Sequence, residues 1–202
     1  MSDDQPLLLD ACSLINLVAS GLQLADMATA IEREFIVTTI AAEESLFVGG
    51  RSDDHPAEAV SVGALAASGQ LTVTSLTPEE LVRFVALAKS VDDGEASTLA
   101  VALERRIELA TDDRRAIRVA GELGVTVLTT PQFMRYWAEC SGATAADIRV
   151  VLSSVERRGN FFPRRDDPER DWWARIVSEE SNFADAQVVR PIDVITGSVS
   201  VA

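Results

Sequence analysis

Leu7-Leu8-Leu9-Asp10-Ala11-Cys12-Ser13-Leu14-Ile15 is an apolar run that stops on an acid. Three consecutive leucines predict a strand buried on both faces. The apolar spacing of Leu14, Ile15, Leu17 and Val18 predicts a helix beginning just past Asp10. Asp10 then falls at the carboxyl end of a strand, the end that borders the ligand crevice in an open parallel sheet. The same position equally suits an aspartate that caps the next helix through its side-chain oxygen. One strand does not decide between the two.

Working outward, strand signals recur at 35–38, 71–74, 107–111 and 125–128. Helical spacing fills 13–19, 22–34 and 40–47, the last with Ile40, Phe47 and its alanines facing inward and Gly49-Gly50 ending it. It continues at 56–68, and Thr77-Pro78-Glu79-Glu80 opens a helix to about Val91, with Thr77 as cap and Glu80 reaching back. Further helices are expected at 96–106, along the Ala116, Val119, Ala120, Leu123 stripe, and at 133–140 and 143–157. Strands alternating with helices imply an α/β fold, a parallel sheet of about five strands covered on both faces. Residues 1–150 are expected to form the main domain. Residues 151–202 are expected to form an appendage packed on it, with the aromatic segment Phe161-Phe162 to Trp172-Trp173, Ile176 and Phe183 supplying apolar surface.

Composition narrows the function. Apolar residues at 47% and charged residues at 25% are ordinary for a folded protein. No basic leader precedes the first apolar run and Asp10 interrupts it, so neither a signal peptide nor a membrane span is expected, and the expected compartment is the cytoplasm. Cys12 and Cys140 make no disulfide framework or zinc cluster. The single histidine, His55, lies in a polar turn, which disfavours Ser-His-Asp chemistry. A net charge of -14 argues against a protein that coats nucleic acid electrostatically. It does not argue against a nuclease, because metal-binding carboxylates count as negative in that sum.

Four acidic sites share one address, the carboxyl end of the expected sheet: Asp10, Glu43-Glu44, Asp92-Asp93-Gly94-Glu95 and Asp112-Asp113. At an effective dielectric of ~20, two carboxylates ~4 Å apart repel by about 4 kcal/mol, so such a cluster calls for a compensating cation. Oxygen-only ligands favour Mg2+ or Mn2+ over zinc. A metal so held activates water for in-line attack at phosphorus, leaving a 5′-phosphate and a 3′-hydroxyl. Helix capping remains the alternative for each acid taken singly.

Those residues carry a resemblance. Leu7-Leu8-Leu9-Asp10 with Ser13-Leu14-Ile15, Val37-Thr38 followed by Glu44, Asp93-Gly94-Glu95-Ala96 opening an alanine-rich helix, and Leu109-Ala110-Thr111-Asp112-Asp113-Arg114-Arg115-Ala116 resemble the PIN-domain nucleases over roughly residues 6–140. The resemblance implies strand order 3-2-1-4-5, a PIN-like three-layer fold, Mg2+ or Mn2+ in an acidic pocket, and endonucleolytic cleavage of RNA. Many bacterial members are VapC-like toxins of toxin-antitoxin pairs, so an antitoxin protein and a second copy of the chain are the candidate protein partners. Carried over by position, Asp10, Glu44 (or its neighbour Glu43), Glu95 and Asp113 are the catalytic acids. Asp93 and Asp112 join Asp10, Glu44, Glu95 and Asp113 as metal ligands. Glu95 stands where the usual third acid is an aspartate, a D-x-G-E variant. Cys12 stands where the family usually has a hydroxyl, with Ser13 next to it.

Arg114, Arg115 and Arg118 follow the fourth-strand acids and are the candidate phosphate contacts, since the guanidinium fork fits phosphate oxygens. Arg105-Arg106, Arg157-Arg158 and Arg164-Arg165 with Phe161 and Phe162 offer further contacts; surface ion pairing and docking of the C-terminal segment are the alternatives. The competing function is a non-catalytic PIN-like module that binds RNA or a protein. A phospho-acceptor regulator is disfavoured, because Ser75-Leu76 and Thr129-Thr130-Pro131 replace its acceptor aspartate and its lysine.

Overall fold

All three leucines of β1 (Leu7–Leu9) are fully buried, and they divide between two cores. Successive strand side chains point to opposite faces, so Leu7 and Leu9 enter one hydrophobic cluster while Leu8 enters the other. The structure is a computed structural model that describes residues 5–44, 46–49 and 56–178. The His55 turn, Gly50, Phe183 and the Val/Ile-rich end lie outside the described residues.

The chain continues through α1 (Ala11–Ala19), α2 (Leu24–Ala30), β2 (Phe35–Thr38) and the single turn α3 (Thr39–Ala42). Next come β3 (Phe47–Val48), β4 (Glu58–Ala59), α4 (Val62–Ala67), β5 (Thr72–Thr74), α5 (Pro78–Leu87) and α6 (Asp93–Arg105). The remainder is β6 (Glu108–Ala110), α7 (Arg114–Leu123), β7 (Val127–Leu128), α8 (Thr130–Cys140), α9 (Ala145–Gly159) and α10 (Arg170–Ser178). The main sheet is parallel throughout, in the order β5-β2-β1-β6-β7. Counting only its own strands, that is third-second-first-fourth-fifth, the expected PIN-like order.

One face of the sheet is covered by α1, α2, α8 and α9, with Phe133, Trp137, Leu152, Val155 and Trp173 in the shared core. The other is covered by α6 and α7, with the flank of α5 packed alongside through Phe84 and Leu87. Alanines 96, 100 and 102 let α6 lie close on the strands. At the amino end of the sheet Arg33 ties strand ends together. It is buried, donates to the carbonyls of Gln5 and Pro6, and pairs with Glu108 at 2.6 Å.

Two expected helices are corrected. The run 40–47 is helical only through α3; Leu46 and Val48 are buried while Phe47 is 52% exposed, a two-residue alternation that belongs to β3 and not to an inward helical face. The 56–68 stretch first forms β4, which pairs antiparallel with β3. The helix α4 starts only after Ser61, whose hydroxyl caps Ala64 N–H. The Thr77/Glu80 capping box is present as expected.

Residue 150, the expected domain boundary, falls inside α9, and Val151, Leu152 and Val155 of that helix are buried in the same core as Leu7 and Leu9. Trp173 of α10 is 1% exposed there, donates its indole N–H to Glu156, and stands edge-on to Phe161. Among the described residues no single helix is long and apolar enough to cross a membrane. Trp173→Ala should lower unfolding stability by ~3–5 kcal/mol, the range for removing a buried aromatic. Urea denaturation measures it, and a loss below ~1 kcal/mol would mean that α10 is peripheral.

Candidate active site

Parallel pairing of Leu9 with Ala110 places the carboxyl ends of β1 and β6 side by side. Asp10 follows the first and Thr111, Asp112 and Asp113 follow the second. Asp10 is 4% exposed; Oδ1 caps α1 by accepting from Ala11 N–H, and Oδ2 accepts from Thr111 Oγ1 at 2.9 Å and from Cys12 Sγ at 3.3 Å. Burial pushes the Asp10 carboxyl above its ordinary range despite those three hydrogen bonds, and the charge of Asp92 adds to the effect.

The other acids arrive at the start of a helix or just past the end of one. Asp92 caps α6 by accepting from Glu95 N–H, and Glu95 lies in the first turn. Glu44 follows the one-turn α3. Burial raises its carboxyl first, then the charges of Asp10 and Asp92. Asp113 caps α7, accepting from Arg115 and Ala116 N–H at 2.6 and 2.9 Å.

Glu95 and Asp113 face each other across the site. Burial, then the charges of Asp113, Asp92 and Asp10, raise Glu95 to about 7, and a hydrogen bond with Asp113 reinforces the shift. Burial opposes the change at Asp113. The N–H groups of Ala116 and Arg115, the Glu95 hydrogen bond and Arg164 outweigh it and hold Asp113 below its ordinary range. The two shifts are of opposite sign, so Glu95 is the member of the pair that holds its proton to higher pH.

The structure redistributes several expected roles. Among its acids, Asp92 and Asp93 are both exposed, and it is the charge of Asp92 that raises Asp10, Glu44 and Glu95. Glu43 and Glu44 are both exposed just past α3, and Glu44 is the one raised by the charges of Asp10 and Asp92. Asp112 works as a clamp: Oδ1 accepts from Thr130 N–H, Oδ2 accepts from Asn16 Nδ2 at 3.0 Å and from Thr130 Oγ1. It therefore joins β6 to α8 and α1. Burial raises its carboxyl in spite of these partners.

Cys12 fills the place of the family hydroxyl. Its thiol donates to Asp10 and accepts from Asp112 N–H, whereas the neighbouring Ser13 hydroxyl is buried with no partner. Burial and the charges of Asp10 and Asp112 push the thiol up to about 12, so it stays protonated at neutral pH and is no nucleophile.

Among the arginines, Arg114 and Arg115 are exposed on the first turn of α7 beside Asp113, and Arg118 stands 4.0 Å from Glu122. Arg105 and Arg106 close α6 at the amino end of β6, away from the acids. Arg105 is bound to Glu80, Thr74 and the Ser75 carbonyl, the ion-pairing alternative. Arg158 donates to the Ala19 carbonyl and pairs with Glu58. Arg164 instead reaches the site: it donates to the Asp112 carbonyl, and its charge acts on both Asp112 and Asp113. Sequence reasoning passed over Asn16 and the position of Arg164, and named Asp92 only as part of the Asp92-Asp93-Gly94-Glu95 site. The signal for Asn16 was a polar residue inside the buried stripe of α1, between Leu14 and Leu17.

The donors suit a hard cation, because they are all oxygen and their like charges raise Asp10, Glu44 and Glu95. Among the described residues, no three acidic or thiol side chains are drawn close enough to hold a metal as they stand. A family model described as a PIN domain matches residues 6–163. Neither the search of curated proteins nor that of solved structures gave a match.

Two outcomes are expected. Asp112→Ala should cost ~1–3 kcal/mol in urea denaturation, because Thr130 and Asn16 lose a charged partner. In EDTA, the melting temperature should fall as pH rises from about 5 to 8. The folded protein keeps a proton on Glu95 up to about 7, whereas the unfolded chain releases it near the ordinary 4.5, so stability declines through that window. Glu95→Gln should raise Tm at pH 8 by ~2–4 °C with the gain shrinking toward pH 5, and a variant that follows the wild-type pH curve would show that Glu95 titrates normally.

Proposed function

The chain belongs to the PIN-domain family, and from that premise we propose that it is a divalent-metal-dependent endoribonuclease of the VapC-like, D-x-G-E branch, the toxin of a toxin-antitoxin pair. The carrying observation is the gathering of Asp10, Glu44, Asp92, Glu95 and Asp113 around the carboxyl ends of β1 and β6 and the helix starts beside them, where burial and like charge raise Asp10, Glu44 and Glu95. A cation would relieve that repulsion. Asp10, Glu44, Glu95 and Asp113, with Asp92 alongside, would hold Mg2+ or Mn2+. When bound, such a metal supplies an activated water and stabilises charge at phosphorus.

The chain's own residues set the rest of the chemistry. Thr111 and Cys12 fix the Asp10 carboxylate by hydrogen bonds. The Asp112 clamp holds the end of β6 against α8, which orients Asp113. Arg114 and Arg115 beside Asp113, with Arg164 across from them, offer guanidinium groups to phosphate oxygens on either side of the acids. No base histidine or covalent nucleophile is required, because water is the attacking group.

The fact that the acids stand apart favours a second reading, a PIN-like module that binds RNA or protein without cutting it. In either case the protein partner is expected to be an antitoxin or a second copy of the chain, in the cytoplasm. A small DNA-binding gene product encoded next door would support the toxin role.

Purified protein should cut single-stranded or looped RNA with Mg2+ or Mn2+ and leave 5′-phosphate and 3′-hydroxyl ends. Asp10→Ala, Asp113→Ala and EDTA should each abolish cutting, and saturating Mn2+ at about 100 times Kd should add ~2.7 kcal/mol of stability. Cyclic phosphates or metal-independent cleavage would overturn this mechanism. Inactivity with unchanged RNA binding would favour the second reading.

A further inference from the structure

We propose that Gly94 is a positioning residue whose absent side chain is the seat of the Glu44 carboxylate. A Cβ built on Gly94 would lie 1.8 Å from Glu44 Oε1 and 3.0 Å from its Cδ, closer than any side-chain carbon tolerates. Conformation does not explain the glycine, since Gly94 is absent from the residues with positive φ and sits in the first turn of α6. Glycine there weakens the helix by about 1 kcal/mol relative to alanine. What the sequence gains in return is space, and the Glu44 carboxylate occupies it.

A hydrogen-bond chain fixes the register of seat and occupant. Ala41 N–H donates to Thr38 Oγ1, Thr38 and Ser97 hydroxyls meet at 2.7 Å, and Ser97 Oγ donates to the Gly94 carbonyl at 2.8 Å. Thr38 and Ser97 are fully buried. The chain runs from the turn that precedes Glu44 to the carbonyl of Gly94, so the backbone of that turn is tied to the helix start that carries the seat. For catalysis the inference rests on the metal-dependent reading above; the contact itself does not.

The test compares wild type, Gly94→Ala, Glu44→Ala and the double variant, by melting in EDTA and in Mn2+. In EDTA, Gly94→Ala should raise Tm by ~2–4 °C in the Glu44→Ala background, the helix-propensity gain. In the native background it should give a different shift, because there the methyl must expel the carboxylate. In Mn2+, Gly94→Ala should lose as much of the metal-induced shift as Glu44→Ala does, and the double variant should lose no more. Glu44→Asp, one methylene shorter, should restore part of that shift to Gly94→Ala. Equal Tm changes in both backgrounds, or a wild-type metal response in Gly94→Ala, would overturn the inference. A wild type without any metal-induced shift would overturn the metal reading, and the EDTA comparison would still decide the seat.

Discussion

Parallel pairing of β1 with β6 places Asp10 and Asp113 at the same end of the sheet, and the like charge of the acids gathered there, felt by Asp10, Glu44 and Glu95, is the constraint to which the surrounding structure responds. Several of these carboxylates are met by a compensating feature. Asp10, Asp92 and Asp113 stand at the amino ends of α1, α6 and α7, so three positive helix ends converge where negative charge collects. Glu95 is raised and Asp113 lowered, and Arg164 donates to the Asp112 carbonyl. Capping and ligation were posed as alternatives for each acid. At Asp113 the two are compatible, because one oxygen accepts both cap N–H groups; at Asp10 the second oxygen accepts from Thr111 and Cys12 instead.

The sheet and its order were legible because they depend on strong local signals. Three leucines buried on both faces, four later strand signals and a capping box at Thr77 leave little freedom in how the elements alternate. The stretch 40–68 was less legible. Its apolar residues fit helical spacing on paper, but β3 and β4 are stabilised by pairing with each other, a contact between residues eleven or so apart that no local window registers.

The acids were legible as a set and less so as individuals. Their spacing along the chain marks which strand ends they follow, yet it does not reveal which member of a pair turns inward. Asp92, the cap of α6, is the acid whose charge Asp10, Glu44 and Glu95 feel, and its neighbour Asp93 begins the helix. Asp112 turns away to Asn16 and Thr130, partners 96 and 18 positions distant. Cys12 both donates to Asp10 and accepts from Asp112 N–H, so its thiol joins the ends of the two strands.

The segment after α9 was expected to dock as an appendage, and its aromatic residues do dock: Trp173 lies in the core and Phe161 stands edge-on to it. The same segment carries Arg164 to the acids and Asp167 to Thr129, at the cap of α8. Docking and charge compensation are therefore one event. In a chain with fourteen more acidic than basic residues, an arginine at the acid cluster is useful only if it is held there. A long side chain in water would be screened and mobile. The segment is held on either side of Arg164, by Phe161 edge-on to the buried tryptophan and by Asp167 bound to Thr129.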